Sequence, residues 1–129
     1  MRHAPTRCGY LVIISFAWTT PALLAGAKTV TRRNWNITHA RKFHAGDLVD
    51  AWDRAPRTGK GRKVATIRIT RDPHLEWSTD LTEADFEREG FVWLRANGQG
   101  ETVAEVVASW NAWRRLLWVV EFELVERVT

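Results

Sequence analysis

Hydrophobic and polar positions recur along the chain with two different periods, and each change of period marks an element. The run "YLVIISF" (Tyr10–Phe16) is apolar without a break and rich in β-branched residues, the pattern of a strand buried on both faces. Thr19 and Thr20 precede Pro21, which predicts a short helix over Pro21–Ala25, since proline is tolerated in a first helical turn. Gly26 ends it. "KTVTRRNW" predicts a strand with Thr29, Thr31 and Arg33 on one face, "THARKFHAG" a short helix closed by Gly46, and "DLVDAWD" a strand. In "VATIRITR" Ala65, Ile67 and Ile69 alternate with Thr66, Arg68 and Thr70, a half-buried strand.

The second half changes to helical spacing. "LTEADFEREGFVWLRANG" predicts a helix with Thr82 as N-cap, acids in its first turn, Gly98 beyond its end and Gly90 as a point where it can divide. "TVAEVVASWNAWRRL" is a second amphipathic helix, and "LWVVEFELVERV" a closing strand with Val120, Phe122 and Leu124 on its buried face. Strands and helices follow in mixed order, without repeats or linkers. The expectation is one α+β domain over residues 1–129, core about 11–125, with a curled or barrel-like sheet.

Composition adjusts this picture in three places. Arg2 and Arg7 ahead of the apolar run, with Ala25-Gly26-Ala27 behind it, have the form of a secretory leader. Cutting before Lys28 would remove the strongest apolar strand, and Thr19-Thr20-Pro21 interrupts the run before the cut. The segment is therefore expected to stay, in a cytoplasmic protein that no membrane span anchors. Cys8, the single cysteine, excludes an intramolecular disulfide and a cysteine-cluster metal site. Charge is unevenly placed: residues 28–71 hold twelve Lys or Arg against three acids, whereas residues 72–129 hold five against twelve. A basic half favours an anionic partner, nucleic acid or nucleotide, or else is one solvated face of the domain. Eight tryptophans in 129 residues supply core and, in a cleft, a surface for stacking a base.

One ordered set of residues carries chemistry. Gly26-x-Lys28-Thr29-x-Thr31-x-Arg33, followed by "FHAGDLVDAW" and "LWVVEFELV", resembles the signature of the ASCH domain family, a branch of the PUA-like fold. The resemblance runs from about Leu11 to Val125 and implies a small mixed β-barrel with flanking helices and a cleft for RNA or a nucleoside. Some family members resemble N(4)-acetylcytidine amidohydrolases, and others look like ribonucleases or nucleic-acid-binding modules. In the amidohydrolase branch a Lys, a Thr three residues later and a Glu on a following helix form the catalytic set. By resemblance these fall on Lys28, Thr31 and Glu89, with Glu87 the competing choice. Trp18, Arg32, Arg33, Arg57, Lys60, Arg62 and Lys63 are the candidate contacts to substrate or nucleic acid. No cofactor or metal is expected. The chain departs from the family in its Trp-rich tail helix and the insertion "RAPRTGKG".

Elementary chemistry asks the same of these residues. Amide hydrolysis needs a nucleophile, a base to activate it and a proton for the departing amine. A lysine serves as base only if burial or a nearby cation lowers its pKa, and Arg32 and Arg33 are beside it in sequence. Lys28 and Thr31 share a face only if Lys28 still belongs to the Gly26 turn, whose N–H groups are then candidate oxyanion donors. Helical steps place Glu89 between Phe86 and Trp93, at the edge of the apolar stripe. The plain alternatives are a surface lysine, a routine strand threonine and a boundary salt bridge. His39 and His44 are one residue over a helical i, i+4 step without clustered carboxylates, and His74 reads as a loop residue.

Overall fold

A computed structural model of the chain describes residues 12–128. Its strands are β1 (Ile13–Ser15), β2 (Val30–Arg33), β3 (Leu48–Trp52), β4 (Lys63–Ile69), β5 (His74–Trp77) and β6 (Leu116–Arg127). Its helices are α1 (Thr20–Leu24), α2 (Ile37–Ala40), α3 (Glu83–Arg88), α4 (Phe91–Leu94) and α5 (Gly100–Ala112). The six strands form one sheet in the order β1-β3-β4-β6-β2, with β5 also on β6. Among the described residues only β1 and β3 run parallel. The architecture is α+β, as the mixed order of elements predicts.

The twelve residues of β6 organise the sheet. Its second half pairs with β4, while its first half lies between β2 and β5. β4 and β5 follow one another along the same edge of β6, so Ile69 sits opposite Phe122 and His74 opposite Val119. The two ends of the sheet, β1 and β2, do not pair, yet Arg33 on β2 donates from Nη2 to the Ser15 main-chain oxygen on β1 at 2.7 Å. One side chain spans the opening, so the sheet curls until its ends nearly meet.

The concave face holds the main core: Ile14, Phe16, Leu23, Phe43, Val49, Ile67, Ile69, Val120 and Phe122. Ala65, Ile67 and Ile69 are fully buried, as their period-two spacing predicts. Ala22, Phe91, Leu94 and Val103 form a second cluster under the helices, where Trp18, Phe86, Trp93 and Trp110 pack. Each fully buried Val, Leu, Ile or Phe among them contributes about 1.5–3 kcal/mol by leaving water. The segment ahead of Lys28 supplies Ile14, Phe16, Ala22 and Leu23 to these two clusters.

Several expectations need correction. Tyr10 and Leu11 lie outside the described residues, and the rest of "YLVIISF" is a three-residue strand at one end of the sheet, not a central one. Ile14 faces the core, while Ile13 and Ser15 on the other face are half-buried, so the unbroken apolar run does not mark a strand buried on both faces. The helix in "THARKFHAG" stops at Ala40, well before Gly46, because Phe43 turns inward to stack on Trp35 at 4.7 Å. His74 is not in a loop: it opens β5, drawn into the sheet by the free edge of β6. The basic insertion "RAPRTGKG" carries one 3-10 turn, at Pro56–Thr58. Among the described residues no helix is long and apolar enough to cross a membrane.

Candidate functional site

The chain leaves α1 through Gly26, whose φ of +77° is a conformation glycine adopts without strain. The Gly26 N–H donates to Leu23 O at 3.0 Å, and the Ala27 and Lys28 N–H groups donate to Ala22 O at 2.9 and 3.2 Å. Lys28 therefore belongs to the turn, so the alternation of β2 does not set its direction. The same bonds correct the oxyanion expectation, since all three N–H groups serve the end of α1. Thr29 then joins two elements: its N–H donates to Arg88 O at 2.8 Å, and its carbonyl accepts from Phe122 N at 2.9 Å.

Glu89 arrives from the other side. Thr82 and Asp85 form a reciprocal capping box that starts α3. Glu89 caps its C-terminus, and Gly90 at φ +85° turns the chain into α4. A Cβ on Gly90 would lie 2.9 Å from Ala22 Cβ and 3.1 Å from Lys28 Cβ. Only a glycine lets the α3–α4 corner sit this close to the turn holding Lys28. The helix divides at Gly90, so Trp93 belongs to a different helix. Cations, not Phe86 and Trp93, hold Glu89 inward.

Lys28 Nζ donates to Glu89 Oε1 at 2.8 Å and to the Glu89 main-chain oxygen at 3.1 Å. Arg32 Nη1 donates to Glu89 Oε2, also at 2.8 Å. The three side chains are only 2–3% exposed. Arg32 also reaches Glu76 at 3.3 Å and Asp85 at 3.5 Å, and Glu76 pairs with His74 at 2.8 Å. Burial pulls the Lys28 pKa down from its ordinary 10.5; the charge and hydrogen bond of Glu89 pull it up, while Arg33 and Arg32 push it further down. Burial works to raise the Asp85 carboxyl, but hydrogen bonds from Arg88 and Thr82, with Arg32 nearby, hold it down to about 2.

Thr31 and Arg33 point to the opposite, concave face of β2, because Thr31 pairs with the core residue Val120. Arg33 Nε donates to Thr31 Oγ1 at 3.0 Å, and its guanidinium lies over the Phe16 ring at 5.3 Å. Burial draws the Arg33 pKa from 12.5 to about 10, with the Glu89 charge opposing. It stays cationic at neutral pH.

Both faces of β2 open on one cleft of about 260 Å³, walled by Lys28, Thr31, Arg32, Arg33, Glu89 and Trp18. Trp18 stacks on Phe91 at 6.1 Å with nearly parallel rings. Among the described residues Thr31 has no hydrogen bond to Lys28, which spends its donors on Glu89. The cleft thus gathers a hydroxyl beside a guanidinium, a buried ammonium–carboxylate pair and an aromatic wall. That set can bind a planar polar ring and move protons at its edge.

The other candidates separate. Arg57 lines a neighbouring cleft that shares Ser15 and Arg33 with the first. Lys60, Arg62 and Lys63 line neither cleft: Lys63 pairs with Asp50 at 3.0 Å, and Arg62 lies 3.9 Å from Asp53. Glu87 is exposed and lines a separate groove against α5. Val106 and Trp110 of α5 were missed as walls of the main cleft; their spacing of four on an amphipathic helix marks a shared face but not what it faces. Glu76 and Asp85 were missed as partners of Arg32, although the position of Asp85 three residues after an N-cap Thr was a readable signal. Among the described residues no three His, Cys, Asp or Glu side chains are grouped to hold a metal ion.

No family model matches the chain, and no curated protein matches it. Among solved structures it is similar to protein EF3133 from Enterococcus faecalis V583, described under the family model DUF984. The likeness covers 86% of this chain and 69% of that one, at 20% identity and a TM-score of 0.54. What the chain shares with EF3133 is the fold.

Proposed function

We propose that this chain is an ASCH-type, PUA-like domain that hydrolyses an acyl group from the exocyclic amine of modified cytidine, as N(4)-acetylcytidine amidohydrolases do. The observation that carries the reading is the convergence of Lys28, Thr31 and Glu89 on one cleft from a turn, a strand and a helix end. Trp18 offers the base a flat wall. Thr31 Oγ1 attacks the acyl carbon, and the free-base form of Lys28 takes the hydroxyl proton. Burial favours that form of Lys28. Arg33, 3.0 Å from Thr31 Oγ1, replaces the Gly26 turn as the charge that stabilises the developing oxyanion. The C–N bond breaks as the amine nitrogen receives the proton from the Lys28–Glu89 pair, which acts as one acid–base unit. Water then cleaves the acyl-threonine ester, so one water is consumed and a carboxylic acid and cytidine leave.

The test is incubation of the purified protein with N(4)-acetylcytidine and quantification of cytidine and acetate. Thr31→Val is the most informative variant, because Thr31 is outside the buried ion pair. It should lower turnover on the order of a hundredfold or more while the protein stays folded by circular dichroism. Glu87→Gln should match the parent. If the parent releases no cytidine, the reading as an enzyme of this kind falls, and a nucleic-acid-binding module takes its place. Chain cleavage of an RNA under the same conditions would instead support a ribonuclease.

A further inference from the structure

The cleft beside the candidate site has an unusual charge. It encloses about 250 Å³, and its lining includes Arg33, Arg57, His39, Trp35 and Ser15 but no carboxylate. Arg33 donates only to Thr31 Oγ1 and the Ser15 main-chain oxygen and forms no ion pair among the described residues. Arg33 feels the Glu89 charge at a distance and the Phe16 ring beneath it, but no carboxylate among the described residues touches it; a half-buried guanidinium gains from an anion in direct contact. Arg57, exposed on the facing loop, has no hydrogen bond or ion pair among the described residues. Lys63, Arg62 and Arg68, by contrast, all have acids beside them. His39 adds no charge: burial, then the neighbouring Lys42, lowers its pKa below the usual 6.5, so it is neutral at neutral pH. Its ring meets Trp35 edge-on at 4.7 Å.

We infer that this second cleft is a phosphate subsite, in which Arg33 and Arg57 grip from two walls a phosphate attached to the nucleoside held in the first cleft. The inference rests on the reading proposed above, and it makes the ligand a nucleotide instead of a free nucleoside. Two guanidinium groups without a competing acid match the planar, bidentate chemistry of phosphate. The shared wall of Ser15 and Arg33 makes the two clefts contiguous. An anion in the second is therefore one covalent step from a sugar at the mouth of the first. Trp35 and His39 form the aromatic flank on which a further base would lie.

The experiment titrates the intact protein with cytidine, cytidine 5′-monophosphate, cytidine 3′-monophosphate and a tricytidylate, followed by calorimetry. At least one phosphorylated ligand should bind about tenfold or more tightly than cytidine, the usual value of a charged hydrogen bond. Arg57→Gln should erase that difference and reduce the salt dependence by about one phosphate contact. Arg68→Gln removes a paired surface charge and should leave the difference in place. A monophosphate equal to the trimer identifies a terminal phosphate as the occupant, and a superior trimer identifies a phosphodiester in a chain; both support the subsite. Equal binding of all four ligands, or an advantage that survives Arg57→Gln, overturns it. These ligands carry no acyl group, so the outcome is separate from hydrolysis. A phosphate preference without acetylcytidine cleavage sinks only the enzymatic reading, and cleavage without the preference sinks only the subsite.

Discussion

Replacing Glu89 by Gln removes the one negative charge between Lys28 and Arg32 while preserving shape. At an effective dielectric of about 20, each 2.8 Å contact carries about 6 kcal/mol of attraction before desolvation is subtracted. The loss falls unequally. Arg32 keeps Glu76 and Asp85, at 3.3 and 3.5 Å. Lys28 keeps only the main-chain oxygen of residue 89, at 3.1 Å. Breaking a buried pair from one side costs about 3–5 kcal/mol, a large share of a typical stability of about 5–15 kcal/mol. The variant can escape part of this by shedding the Lys28 proton. Burial already holds that pKa below 10.5, and the substitution deletes the two influences that raise it. Between the lowered folded value and 10.5 the unfolded chain binds the extra proton, so the stability of Glu89→Gln rises with pH across that window. Urea denaturation at pH 6 and pH 9 measures both effects, and the gap to the parent should narrow at the higher pH. Lys28→Met combined with Glu89→Leu should recover most of the loss, because an apolar pair leaves no charge stranded. A loss under about 1 kcal/mol, or one identical at both pH values, would refute the argument that Lys28 is the stranded charge.

Three further outcomes follow from the same geometry. Gly90→Ala forces a side chain into φ +85° and against Ala22 and Lys28; it should lower stability by about 2–4 kcal/mol in urea unfolding, and a loss below about 1 kcal/mol would mean that the corner can shift. Asp85, 11% exposed at its side chain and held at about 2 against 3.8 unfolded, contributes about 2 kcal/mol that is present above pH 3.8 and lost as pH falls through 2. Acid titration of stability should show that loss, and Asp85→Asn should abolish it. In the hydrolysis assay, turnover should climb with pH along a limb set by Lys28, below the ordinary lysine value; Lys28→Met should remove activity across the whole range, and a limb that persists in that variant would assign the base elsewhere.

What the chain wrote locally, it wrote legibly. The alternation in β4, the long closing strand, the Thr82 cap, and the glycines at 26 and 90 all depend on a residue's own backbone freedom or on neighbours within a few positions. Lys28, Thr31 and Glu89 are singled out by the resemblance to the ASCH family; the local pattern alone reads them as a turn lysine, a strand threonine and a helix-end glutamate. Tertiary structure decided everything that needed two distant segments to meet. β5 exists because β6 leaves an edge open, and β1 lies at one end of the sheet because Arg33 instead of a strand spans the gap beyond it. Helical spacing ran across Gly90 and credited Phe86 and Trp93 with holding Glu89. The true partners are 57 and 61 residues away, and only the folded chain brings both within 2.8 Å of Glu89. Charge counts could not separate Arg57 from Lys60, Arg62 and Lys63, since the fold decides which cation lines a cleft and which has an acid beside it: Arg57 lines one, Arg62 and Lys63 sit by Asp53 and Asp50, and Lys60 lines neither cleft.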